Sequence, residues 1–196
     1  MRGFLFILFT MPFFTVQTLA DENINQYLYN EAVSGNAQAQ FELANAYYHL
    51  KTDDGNIKTT EWLEKSAAQG YKPAQRMLGA VYYYGLTGNK NYYKARQFLE
   101  QSLQHDNSAA DASTFHLLGI MFADGLGVRQ DCNKALDLFN QAKHKIDKSL
   151  MSIGYIYLVG CSGKKDLIKA KEYFGQACDK GDQDGCDEYR KLNMRK

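Results

Sequence analysis

Proline is almost missing from this 196-residue sequence: there are two, Pro12 and Pro73, so little interrupts helices once the first stretch is passed. Histidine is scarce and scattered. His49, His105, His116 and His144 include no pair four residues apart and no H-E-x-x-H, so no helical metal pair is expected. No G-x-S-x-G elbow, Walker-type phosphate loop or dinucleotide fingerprint is present. Dense runs of lysine and arginine are lacking as well. The tail residues Arg190-Lys191 and Arg195-Lys196 come nearest and read as a solvated helix end, so nucleic acid is not an expected partner. Together these absences predict no catalytic, cofactor-binding or metal site.

What is present begins with a leader. Arg2 supplies a positive start, Phe4 to Phe14 an apolar stretch, and Thr18-Leu19-Ala20 a small-residue cleavage site, so residues 1–20 read as a secretory signal. Thr10 and Pro12 interrupt the apolar run, which falls short of the roughly 20 residues that span a bilayer. No cysteine follows the cut, which argues against a lipid anchor. Cleavage would leave 22 basic and 22 acidic residues and a periplasmic or secreted protein without stable membrane insertion.

The remainder, residues 21–196, repeats itself. Ala39–Tyr47, Ala74–Tyr82, Thr114–Phe122 and Ser149–Tyr157 superpose, with starts spaced by 35, 40 and 35 residues. Helix A carries Leu43/Ala44/Tyr47, Leu78/Gly79/Tyr82, Leu118/Gly119/Phe122 or Ile153/Gly154/Tyr157, with the large residues four apart on one face. The glycine or alanine between them admits a neighbouring helix. Gly85, Gly125 and Gly160 end helix A, while the first repeat has Lys51-Thr-Asp-Asp-Gly55 as its loop. Asn91, Asp131 and Asp166 stand where they can cap helix B, whose body reads Lys94-Ala95, Lys134-Ala135 or Lys169-Ala170 followed by a pair of large residues. Helical patterning at this period predicts an all-α solenoid of stacked helix pairs. The repeats run at about 37–70, 71–106, 113–146 and 148–181, with a lone helix over 25–34 and a capping helix over 184–193. Asn107–Ala112 adds a turn to the third repeat.

The pattern A-x-x-x-[LI]-G-x-x-[YF], a glycine-bounded loop and K-A-x-x-[WFY]-[LF] resembles the Sel-one-like repeat, a subclass of the tetratricopeptide-type solenoids. The resemblance extends from about Asn25 to the C-terminus and is fullest in the third and fourth repeats, where Gly125-Leu-Gly127-Val128-Arg-Gln-Asp131 forms the loop. It implies an adaptor-like, protein-binding role.

Four cysteines, an even number behind a signal sequence, favour disulfides over metal, since no C-x-x-C occurs. The segment from Cys178 to Cys186 resembles the cysteine-rich secreted subset of Sel-one-like proteins, which implies the pair Cys178–Cys186 and leaves Cys132 with Cys161. Stacked units bring those two regions side by side. Ser162-Gly-Lys-Lys165 fits S-x-x-K of penicillin-interacting enzymes, a label that some members of this subset carry. The motif falls in an inter-helix loop, and its S-D-N and K-T-G companions are absent, so β-lactamase activity is the weaker alternative.

The expected working surface is the concave side, lined by helix A. Positions two before, two after and five after the core Leu or Ile point away from the core of an isolated helix. Phe41, Tyr48, Arg76, Tyr83, His116, Ile120, Met151 and Tyr155 are the candidates, joined by Tyr84 at the loop edge, being rich in anchor types. The expected activity is non-enzymatic recognition of a partner protein by a monomer. A narrower version is an immunity protein that neutralises a periplasm-targeted toxin such as a phospholipase effector.

Overall fold

Glycine at 79, 119 and 154 sets how closely the two helices of a repeat approach. A Cβ on these residues would stand 2.6 Å from Leu99, 2.6 Å from Phe139 and 2.5 Å from Phe174. Each of these side chains closes the helix B motif of Lys-Ala, two further residues and a pair of large side chains, so the glycine of helix A and the last residue of that motif in helix B interlock. Full burial of such a phenylalanine contributes about 1.5–3 kcal/mol.

The computed structural model describes residues 26–104, 112–161 and 163–194. The leader at 1–20, the opening of the third repeat at Asn107–Asp111, and Ser162, on which the serine–lysine motif depends, lie outside the described residues. Those described form ten α-helices and no strand. A lone helix, α1 (Gln26–Val33), packs on the first pair, α2 (Ala37–His49) and α3 (Asp53–Ala68). Then follow α4 (Lys72–Tyr84) with α5 (Tyr92–Ser102), α6 (Ala112–Asp124) with α7 (Cys132–Ala142), and α8 (Lys148–Val159) with α9 (Leu167–Asp179). A capping helix, α10 (Gln183–Met194), closes the array against α9.

Local chemistry accounts for the boundaries. Asn91, Asp131 and Asp166 each accept a hydrogen bond from the backbone N–H three residues on, at Lys94, Lys134 and Lys169. Gly85 and Gly160 end α4 and α8 with φ of 73° and 77°. The first repeat departs from the loop expected over Lys51–Gly55. Lys51 makes the left-handed step alone, with φ 53°, and Thr52 caps α3 by accepting from Gly55 N. Asp53 and Asp54 thus form a first helical turn, where acidic side chains suit the positive end of the helix dipole. Gly55 is buried there, so close to α2 that a Cβ would meet the Tyr47 carbonyl oxygen at 2.8 Å.

Three groups of buried side chains make the core, and aromatic residues connect them. Tyr82 packs against both the first and the second group, and Tyr157 and Tyr173 against the second and third. Tyr82 also donates to Glu64 of the preceding repeat at 2.5 Å. Burial, reinforced by that carboxylate, pushes its phenol up to about 12. Of the junctions at which helix B meets the next helix A, the one between α5 and α6 is the thinnest. The loop after α6 supplements it: Gly127 lies against the backbone of Tyr92, and Arg96 Nε donates to the Gly127 carbonyl at 3.3 Å.

Two cysteine pairs reinforce the C-terminal half. Cys178 and Cys186 are at disulfide distance (Cα–Cα 4.5 Å) and join α9 to the capping helix. Cys132, at the start of α7, and Cys161, after α8, are also at disulfide distance (Cα–Cα 5.8 Å) and join adjacent repeats. Among the described residues, no helix is long and apolar enough to cross a membrane.

A candidate protein-binding face on the A helices

Helices α2, α4, α6 and α8 present one side of the array, and among the described residues three cavities open between them. The first, of about 260 Å³, lies between Tyr48, Met77, Val81, Tyr84 and Leu86. A second, of about 240 Å³, adjoins it through shared Met77 and Ala80, and reaches Phe41, Arg76, Thr114 and Leu117. The third, of about 350 Å³, separates α6 from α8 and is walled by Ile120, Asp124, Tyr155, Ile156 and Val159.

Six of the nine residues expected on this face line a cavity: Tyr48 and Tyr84 the first, Phe41 and Arg76 the second, Ile120 and Tyr155 the third. Tyr84 is 65% exposed and Tyr155 43% exposed, so both offer ring area. Tyr155 stands edge-on to Phe174 at 5.1 Å. Its phenol is raised by burial first and then by Glu188.

The other three are placed differently. Met151 is buried, 9% exposed, among Phe174, Ala177 and Leu192, which corrects its assignment to the open face. His116 is partly covered. Its ring centroid lies 5.5 Å from that of Phe139, and Nδ1 is 2.8 Å from Ser149 Oγ. Tyr83 turns to the junction of the second and third repeats, with its ring 5.6 Å from that of Tyr92, and burial raises its phenol.

For Met151 and His116 the physical reason is shared. The position two before the core Leu or Ile leans toward the helix A that follows, so a stacked neighbour covers what an isolated helix would expose. Phe41 reaches Tyr71, His116 reaches Ser149, and Met151 reaches Leu192 in this way. The opposite flank went unread in the sequence. Met77, Leu117 and Ser152, each directly before the core residue, all line cavities. A rotation of about 100° per residue would have placed them beside the groove.

Arg76 has no ion pair among the described residues, and Asp124 supplies a carboxylate to the third cavity. Among the described residues, no three His, Cys, Asp or Glu side chains gather as metal ligands would.

The Sel1 repeat profile matches residues 37–71, 72–107, 116–145 and 148–182. The Sel1-repeat-containing protein YjcO of Escherichia coli K12 is 30% identical over 135 residues, covering 66% of this chain and 58% of that protein. HRD3B of Arabidopsis thaliana, an ERAD-associated E3 ubiquitin-protein ligase component, is 30% identical over 163 residues, which is 79% of this chain but 26% of that protein. Among solved structures, c5321, a protective antigen of uropathogenic Escherichia coli with an SLR fold, superposes with a TM-score of 0.69 at 28% identity. That match covers 84% of this chain and 35% of that one. A Sel1 repeat protein from Oxalobacter formigenes gives 0.64 at 26% identity, over 77% of this chain and 59% of that one. This chain therefore spans little more than half the length of the YjcO relative it matches. Four profile matches, and a core that interlocks at the motif glycines, establish that the chain belongs to the Sel1 repeat family.

Proposed function

We propose that this protein is a non-enzymatic scaffold, working outside the cytoplasm, that holds a partner protein along the concave face made by α2, α4, α6 and α8. Sel1 repeat proteins in general mediate protein–protein interaction, and two cysteine pairs at disulfide distance fit an oxidising compartment. The observation that carries the reading is the run of cavities between successive A helices, edged by the exposed rings of Tyr48, Tyr84 and Tyr155. Large, rigid aromatic side chains beside an apolar depression are the usual anchors of an interface. A signal sequence at 1–20 would deliver the protein to the periplasm or beyond.

The test is affinity capture from an extracytoplasmic extract, comparing immobilised wild type with a Tyr84→Ala/Tyr155→Ala double variant of unchanged helical content. A protein retained by the wild type and lost by about ten-fold or more from the variant is expected. Equal retention of every captured protein by the two would rule out this face.

A further inference from the structure

The junctions between successive A helices are built on one plan, and one of them is left open. At the first, Phe41 closes against Tyr71. At the third, His116 Nδ1 and Ser149 Oγ are 2.8 Å apart. Beyond the fourth repeat, Met151 is buried beside Leu192. Arg76 and Thr114 hold the His116 and Ser149 positions at the second junction, between α4 and α6. There the contact is not made. Among the described residues, Thr114, 1% exposed, has no hydrogen-bond partner for its Oγ1 and no ion pair engages Arg76, and both line the 240 Å³ cavity.

We propose that this cavity is the seat for an acidic side chain, Glu or Asp, on the partner protein, held by the Arg76 guanidinium and by the Thr114 hydroxyl, which is buried until it rotates to meet the carboxylate. The inference rests on the protein-binding reading above and names the chemistry of the partner. A guanidinium only donates and a threonine hydroxyl can donate, and both residues line one space, which calls for an acceptor. The planar fork of arginine matches a carboxylate, and a charged acceptor makes the stronger bond. Phe41, Met77 and Leu117 form the walls. They suit the methylene groups that carry a carboxylate, and by excluding water they strengthen its attraction to Arg76. The occupant is a side chain and not a chain terminus because the cavity continues through Met77 and Ala80 into the apolar space under Tyr48 and Tyr84. A segment lying along this face passes Arg76 and places an apolar residue beside the two tyrosines.

The experiment is selection from a random dodecapeptide library, displayed on phage with the peptide C-termini joined to the coat protein, against the full chain. Enriched peptides are expected to carry Asp or Glu at a fixed spacing from an apolar residue. Their capture should fall about ten-fold on Arg76→Gln, the size expected for a charged hydrogen bond. It should also fall on Thr114→Val but survive Thr114→Ser. Circular dichroism melting of each variant verifies folding before its binding is compared. Binders that are lost on Tyr84→Ala/Tyr155→Ala, yet lack an acid or ignore Arg76→Gln, overturn the acidic seat and leave the face itself standing. Displacement of the selected peptides by inorganic phosphate alone also overturns it, as a small-anion site. Binders indifferent to both sets of variants, or no enrichment at all, overturn the seat and the face together.

Discussion

Lys134 Nζ stands 4.1 Å from the centroid of the Phe122 ring, so a lysine in the first turn of α7 lies over an aromatic residue near the end of α6. The same partnership recurs at Lys94 and Tyr82 (4.9 Å) and Lys169 and Tyr157 (5.0 Å), while Lys58, a turn further into α3, lies 5.0 Å from the Tyr47 ring. A cation at a helix N-terminus opposes the helix dipole, and the ring contact offsets that. It explains why the lysine of K-A and the aromatic residue of helix A belong to one motif. Lys134→Gln is expected to lower the unfolding free energy by about 0.5–1 kcal/mol in a urea titration. An unchanged midpoint would leave the contact without weight.

Gly154→Ala sets two effects against each other. Helix propensity favours alanine by about 1 kcal/mol, but the new Cβ would lie 2.5 Å from the ring of the fully buried Phe174. Crowding of this kind costs about 1–3 kcal/mol, so a net fall in Tm is expected. At Gly175 the same change meets only Tyr189, at 3.2 Å and on the surface. That ring can swing aside, so Gly175→Ala should be neutral or slightly stabilising.

The His116 pKa is lowered by burial and, secondly, by the Lys148 charge. The unfolded chain therefore takes up a proton before the folded one does. Stability is complete above the ordinary histidine range near 6.5, and declines as pH falls through it. His116→Gln should flatten the fall in Tm between neutral and mildly acidic buffer. If the slope is the same in both proteins, the histidine does not supply it.

The two cysteine bridges close loops of different length. Cys132 and Cys161 are separated by 29 residues, Cys178 and Cys186 by 8. On chain entropy the longer link contributes about 3.5 kcal/mol and the shorter about 2.5 kcal/mol. Paired serine substitutions should therefore lower the chemical denaturation midpoint more at the first site. The reverse order would show that anchoring of α10 outweighs loop length.

Thr114→Val removes a buried hydroxyl that has no partner while keeping the shape of the side chain. An orphaned polar group costs about 1–3 kcal/mol, so the variant is expected to be the more stable protein. A loss of stability would mean that Thr114 Oγ1 is satisfied in solution.

Much of this fold is readable in the sequence because the same physical demands recur in every repeat. Gly79, Gly119 and Gly154 mark helix contacts, and Asn91, Asp131 and Asp166 mark helix starts, whatever surrounds them. Lys51–Gly55 misleads, since a lysine, a threonine, two aspartates and a glycine resemble a turn, while the aspartates serve equally well in a first helical turn. The binding face is harder to read. Helical angles decide which side of one helix leaves the core, and Tyr48 and Tyr155 follow from that. Whether His116 or Met151 stays open depends on Ser149 and Leu192, which lie on the next helix A and carry no signal at the position itself.

The thin α5–α6 junction has a mechanical consequence. In a linear array each repeat is stabilised only by its neighbours, so the weakest interface sets where cooperativity divides. The second group of buried side chains still crosses this seam, from Ala95 and Leu99 to Phe115 and Leu118, so the helices up to Ser102 and those from Ala112 onward would part only where that packing yields, and both cysteine bridges lie on the C-terminal side. Amide exchange should then sort into two classes that part at this seam, with the C-terminal block exchanging last.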